Sequence, residues 1–206
     1  MSKMNLKILS KTELASSIQR VRDAKKTIAH CHGVFDLVHP GHIRHLKVAA
    51  QQADFLIVSI TEDKFVNKGP GRPVYNSLLR AETLASLEFV DFVFINNFST
   101  AVKIIQVIKP DVYIKGSDYA VADDDVTGMI KEEAAAVKSA GGRVFFTDEI
   151  VMSSSELLNA YFDVIRPETQ IWLTNLTSQH DLRSIVDCLL RVRKLKVAVV
   201  GEAIID

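Results

Sequence analysis

HCHGVFDLVHPGHIRHL, residues 30–46, carries the reading on which the fold turns. A short apolar run ending at Cys31 leads into Gly33, and Pro40 with Gly41 then opens a stretch whose apolar residues recur at helical spacing. Strand, glycine turn and helix in that order form the first unit of a doubly wound parallel sheet, whose ligands lie where strands give way to loops. Proline suits the first helical position because no helix uses the amide hydrogen it lacks there. The free amides and positive dipole end of such a helix face outward and favour an anion. His39 and His42 are three residues apart at this helix start, so both can point at one phosphate group. Imidazole suits that task, because near neutral pH it can donate hydrogen bonds to charge developing on a bridging oxygen. Gly33 permits close backbone approach. His30, His32, His45 and His180 lack this setting and read as packed or solvated histidines.

Outward from this segment, β-branched and aromatic runs alternate with helical patterns. Strands are expected at Thr27 to Cys31, Phe55 to Ile60, Phe92 to Ile95, Val112 to Ile114 and Arg143 to Phe146. Helices are expected at Lys11 to Lys25, Ile43 to Gln52, Ser77 to Glu88, Ala101 to Ile108 and Thr127 to Ala140, the last stopped by Gly141 and Gly142. The expected architecture is α/β: a Rossmann-like parallel sheet of about five strands with helices on both faces. A helical C-terminal appendage follows, in which Leu157 to Ile165 and Asp181 to Lys194 read as helices.

The 206 residues are 48% hydrophobic and 24% charged, enough apolar material for one main core and no sign of wholesale disorder. Lys and Arg (25) balance Asp and Glu (25), so no net field draws the chain to nucleic acid or to an anionic membrane. No segment approaches the roughly 20 apolar residues that span a bilayer. Cys31 and Cys188, far apart and outside any C-x-x-C pattern, read as reduced thiols of a cytoplasmic protein. Any phosphate chemistry must therefore come from a local site.

Rival phosphate motifs are absent: there is no G-x-x-x-x-G-K-[ST], and the GPGRPV stretch from Gly69 lacks both a third glycine and a preceding strand. Lys68, on this glycine- and proline-punctuated loop, reads as a mobile cation reaching a phosphate. Arg72 and Arg80 are candidates for a second phosphate, which a guanidinium can grip bidentately. Lys115, Gly116, Ser117 and Asp118 follow a strand and so fall at the ligand edge of the sheet. Ser153, Ser154 and Ser155 precede a helical run as an N-cap. The acidic run Asp123 to Asp125 reads as a solvated turn.

GVFDLVHPGH resembles the H-x-G-H signature of the nucleotidylyltransferase superfamily. KGPGRPVYNSLLRAETLASLEFVD (Lys68 to Asp91), KGSDY (Lys115 to Tyr119) and MSSSELL (Met152 to Leu158) resemble later motifs of heptose-1-phosphate adenylyltransferases, the transferase half of bifunctional ADP-heptose synthases. The likeness runs from Thr27 to Leu158. It implies that a sugar phosphate oxygen attacks the α-phosphorus of a nucleoside triphosphate and that pyrophosphate leaves, with no covalent enzyme intermediate. It implies catalytic roles for His39, His42 and Lys68. Gly33, Val34, Phe35, Gly41, Lys115, Gly116, Asp118, Ser153, Ser154 and Ser155 would bind nucleotide. Asp36 would lie near the metal or the acceptor phosphate, with Arg72 and Arg80 on the acceptor. Mg²⁺ is expected to arrive with the nucleotide, no protein residue being assigned as its ligand, and the family's habit implies a homodimer.

Glycerol-phosphate and choline-phosphate cytidylyltransferases usually carry an arginine just before the Val-Asp pair, whereas Glu88 and Phe89 precede Val90 and Asp91 here. This weakens the likeness to cytidylyltransferases, and the GPGRP loop and KGSDY resemble the heptose type, whose nucleotide is ATP. The alternatives are a CTP-dependent enzyme acting on a polyol or amino-alcohol phosphate, and an inactive nucleotide-binding module. The closing LKVAVVGEAIID resembles the opening strand of ribokinase-type sugar kinases, with Gly201 and Asp206 matching their glycine and sugar-binding aspartate. The resemblance divides the chain into a transferase domain (1–160), a helical linker (161–194) and the first strand of a sugar-kinase-like domain (195–206). Fusion to a C-terminal sugar kinase is the expectation, and a native gene product of only 206 residues would overturn it.

Overall fold

A computed structural model describes residues 6–68, 71–116, 130–147, 167–192 and 195. The strands are β1 (Ile28–Gly33), β2 (Phe55–Thr61), β3 (Phe92–Asn96), β4 (Val112–Gly116) and β5 (Arg143–Thr147). All pair in parallel, in the order β3-β2-β1-β4-β5. The chain winds outward from β1 to β3, then crosses back to add β4 on the other side of β1. The carboxyl ends of β1 and β4 therefore flank the topological switch point, where doubly wound sheets place their ligands.

Both faces of the sheet are covered, which is why the central strands read as nearly unbroken apolar runs. Ala29, Cys31, Leu56, Val58, Ile60, Val93, Val112 and Ile114 pack on one side against Leu46 and Ala49 of α2 (Pro40–Ala50) and Ala81, Leu84 and Ala85 of α3 (Ser77–Ala85). Their alternates Ile28, Ile57, Phe94 and Tyr113 pack on the other side against α1 (Lys11–Asp23), α4 (Val102–Ile108) and α5 (Ile130–Ser139). Ser10 starts α1 with a capping box, its hydroxyl taking the Glu13 amide while the Glu13 carboxylate takes the Ser10 amide. Ahead of it, Lys7 and Leu9 exchange backbone hydrogen bonds with Val93, so the outer edge of β3 is partly covered.

The amino ends of the strands are braced by aspartates. Asp54 accepts the Thr27 amide, Asp91 the Leu56 amide and Asp111 the Ile28 amide, at 2.9, 2.8 and 2.7 Å. Each carboxylate precedes one strand and holds a neighbour, fixing register at the end of the sheet opposite the site.

All five strands run one or two residues beyond their expected carboxyl ends, through Gly33, Thr61, Asn96, Gly116 and Thr147. Helix α3 stops at Ala85, three residues short of the expected Glu88, and the Lys7 ammonium takes the Leu87 carbonyl at 2.8 Å. Within the stretch 161–194, expected to be a helical linker, α6 (Pro167–Gln179) precedes α7 (Leu182–Val192). By compactness the chain divides into Met1–Ser154 and Ser155–Asp206, α6 and α7 belonging to the second unit. The expected helix Leu157 to Ile165 and, apart from Leu195, the closing strand lie outside the described residues.

Gly142 leads into β5, and a Cβ there would stand 2.1 Å from the Pro110 carbonyl oxygen. Gly142→Ala is therefore expected to cost roughly 1–3 kcal/mol, as overpacking in rigid surroundings does. Urea unfolding checks it, and a loss under about 0.5 kcal/mol would overturn the close approach.

Candidate active site

His39 is the N-cap of α2, with extended backbone (φ −130°, ψ 171°) and Pro40 at the first helical position. Its Nδ1 accepts the Gly41 amide at 3.2 Å. In the neutral ring the proton therefore sits on Nε2, and that atom is buried without a partner. Nδ1 of His42 is likewise buried and unpartnered. The two rings lie side by side, centroids 3.9 Å apart and planes inclined by 37°. The spacing argument thus holds in space: both imidazoles sit at one helix end, each with an unsatisfied nitrogen. A buried orphan costs about 1–3 kcal/mol, which a bound anion would relieve at the Nε2–H of His39.

Burial lowers the pKa of both rings. His42 falls to about 3, desolvation acting first and the charges of His39, His45 and Lys68 adding to it, against a ring hydrogen bond to the Leu37 backbone that works the other way. His39 is lowered by desolvation alone. Two adjacent cations are avoided, and the free site holds neutral imidazoles.

Phe35 has a left-handed backbone (φ 48°), and its ring meets His42 edge-on at 5.2 Å. A Cβ on Gly33 would fall 3.1 Å from that ring. Gly33 thus makes room for a neighbouring side chain, which in turn backs His42.

The segment after η1 (Asp63–Phe65, a 3₁₀ turn) forms another wall. Asp36, its side chain fully buried, pairs with Arg72 Nε and accepts the amides of Val74 and Tyr75 at 2.7 and 3.2 Å. Lys68 is exposed, yet desolvation and the nearby Arg72 charge lower its pKa while Asp36 raises it, so these three share one electrostatic neighbourhood. Arg80, expected as a phosphate contact, instead exposes no side-chain surface. It donates to the carbonyls of Tyr75, Val34 and Thr61 and to the Asp63 carboxylate, tying four segments of the site together.

Lys115 also turns inward, to Glu133 at 2.8 Å, and the Tyr113 hydroxyl donates to the same carboxylate at 3.1 Å. Gly116 closes β4 opposite Thr147. The Thr147 hydroxyl meets His45 Nδ1 at 2.9 Å and so links α2 to β5. Beneath the end of β1, Ser59 bridges His30 Nε2 and His32 Nδ1, both at 2.8 Å, and His32 Nε2 meets Thr61 at 3.3 Å. Ser59, Thr61, Asp63, Glu133 and Thr147 are site-supporting residues the sequence reading missed. For Thr61 and Thr147 the available signal was a polar residue closing an apolar strand. Ser117, Asp118, Ser153, Ser154 and Ser155 lie outside the described residues.

The sheet runs in 3-2-1-4-5 order with paired imidazoles on the helix that follows its first strand, and the class to which the chain compares is that of the nucleotidyltransferases. The chain belongs to the cytidylyltransferase-like family, whose model matches residues 30–160. Bifunctional protein HldE from Gluconobacter oxydans (strain 621H) is 38% identical over 133 residues, covering 64% of this chain and 26% of that protein. Its namesake from Methylobacillus flagellatus is 38% identical over 146 residues, 70% of this chain and 28% of that protein. The chain spans about a quarter of the length of these relatives. The crystal structure of a lipopolysaccharide core biosynthesis protein from Thermoplasma volcanium GSS1 shares the fold at TM-score 0.51 and 21% identity, covering 61% of this chain and 99% of that one.

Members of this family typically use a divalent metal. Among the described residues no three His, Cys, Asp or Glu side chains gather to hold one, and both Asp36 oxygens are occupied. No described helix is long and apolar enough to cross a membrane.

His30 and His32 are held neutral as His42 is, His30 far below its ordinary value and His32 at about 3, burial being the main cause in both. Unfolded imidazoles titrate near 6.5. Below that pH the unfolded chain binds protons the folded chain refuses, so stability falls as pH drops, by up to about 1.4 kcal/mol per pH unit for each ring. Urea unfolding at pH 7 and pH 5 is expected to show this loss, and His32→Asn to reduce its slope. Constant stability across the window would mean these rings are not held neutral.

Proposed function

We propose that this chain transfers the nucleotidyl group of ATP to a heptose 1-phosphate or a closely related sugar 1-phosphate, releasing pyrophosphate. The observation that carries the reading is the His39–His42 pair, two unsatisfied ring nitrogens at the start of α2 beside the switch point. The choice of acceptor rests on the likeness to HldE proteins and on the Lys68 to Asp91 and Lys115 to Tyr119 motifs. One acceptor phosphate oxygen forms a bond to the α-phosphorus as the bond from that phosphorus to the bridging oxygen breaks, and both electrons of the broken bond leave with pyrophosphate. No proton transfer to or from the acceptor is needed, so catalysis reduces to holding the partners in line and stabilising charge.

In this mechanism His39 Nε2–H and the α2 N-terminus take the triphosphate, and Lys68 neutralises charge at the leaving group. The arriving polyphosphate raises the His42 pKa, its charge opposing the burial that lowers it in the free site. Val34 and Phe35 shape the nucleotide's bed. Gly116, Asp118 and Ser153 to Ser155 are proposed to complete it, with Arg72 on the acceptor. Mg²⁺ bound to the nucleotide supplies further charge neutralisation. The reading includes a homodimer, a cytoplasmic setting, the division at residues 160 and 194, and fusion to a C-terminal sugar kinase.

A pyrophosphate-release screen crossing ATP, CTP, GTP and UTP with a set of sugar 1-phosphates tests it. Release is expected with ATP and a heptose 1-phosphate. His39→Ala and His42→Ala should each lower kcat by about 10²–10³-fold, the usual loss for a donor that stabilises the transition state. Full activity in either variant would remove the site, and nucleotide binding without pyrophosphate from any acceptor would leave a binding module.

A further inference from the structure

We propose that Asp36 is a positioning residue: it holds the Arg72 guanidinium so that Nη2 is presented to a phosphate oxygen of the acceptor substrate. The acceptor's identity rests on the function proposed above, whereas the phosphate seat rests on geometry. The Arg72 side chain is nine-tenths buried, its Nε is bound to Asp36, and its Nη2 is buried with no partner. A buried guanidinium nitrogen without an acceptor is costly unless a ligand supplies one. The Asp36 carboxylate has no such deficit: Oδ2 takes Arg72, and Oδ1 takes the amides of Val74 and Tyr75. It therefore ties the strap of residues 72–75 to the turn after β1 while leaving Nη2 without a protein partner. Lys68 feels the charges of Arg72 and Asp36, and its own charge reaches His42, so Arg72 shares the electrostatic neighbourhood of the paired imidazoles. A phosphate monoester placed between Arg72 and Lys68 would have its attacking oxygen next to the nucleotide.

The carboxylate is specifically required. An asparagine at 36 could still accept the Val74 and Tyr75 amides through its carbonyl oxygen, but its NH₂ group would oppose the Arg72 Nε–H and release the guanidinium. Asp36→Asn thus separates the strap from the aim of the arginine.

The test uses the whole chain with ¹⁵N-labelled arginine and inorganic phosphate as probe. In the native protein phosphate is expected to shift the Arg72 side-chain signal, and Asp36→Asn to weaken that binding at least tenfold while ATP affinity changes less than threefold. Arg72→Lys should show the same selective loss, and it serves in place of Asp36→Asn if that variant does not fold. With the active enzyme, Asp36→Asn should raise KM for the sugar phosphate at least tenfold with little change in KM for ATP. Equal losses for phosphate and ATP, or an Arg72 signal that ignores phosphate, would overturn the proposal. Phosphate binding through Arg72 without pyrophosphate release from any acceptor would sink the transferase reading and leave this seat standing.

Discussion

Arg80 is the constraint around which the site is arranged. Its buried guanidinium reaches the turn after β1 through Val34, the end of β2 through Thr61, the 3₁₀ turn through Asp63 and the strap through Tyr75. These are one strand end and three turns or loops, and a charge-assisted hydrogen-bond cluster joins them. The planar donor fork suits this work, since a lysine could satisfy only a point-like arrangement. Burying such a charge is tolerable because one carboxylate and three carbonyls meet it, and losing any of these partners would leave a cation stranded in a dry interior.

The sheet and its two helical layers were legible because burial on both faces leaves a strong mark: FLIVSIT and VYIKG between amphipathic segments admit little else. Strand ends were less legible for a physical reason. His32, Gly33, Thr61, Asn96, Lys115, Gly116 and Thr147 continue the ladders, but they are polar or small because this end of the sheet faces the site rather than a helix. Hydrophobic pattern stops where function begins. The carbonyl of Leu87, just past the early end of α3, is met by Lys7, a contact across 80 residues that no local window contains.

In the site, the His39–His42 pair could be read from spacing, since a proline-opened helix dictates where residues three apart will stand. The destinations of long cationic side chains could not. Arg80 and Lys115 sit in motifs read as contacting acceptor and nucleotide, yet both turn inward to carboxylates, because each has a partner, Asp63 or Glu133, placed by a different element. Arg72 illustrates the same point from the other side, as its aim depends on Asp36, 36 positions away. The field of the site thus belongs to an assembled cluster, and no single motif carries it.

His39 closes the first turn of α2 with one ring nitrogen and leaves the other for whatever occupies the cleft. Selection for folding alone would accept serine, aspartate or asparagine at this position, since each caps a helix at least as well. None of them would carry a second donor to the far side of a rigid ring. Drift to one of these would keep the helix start intact, and a descendant could lose its chemistry while keeping its shape.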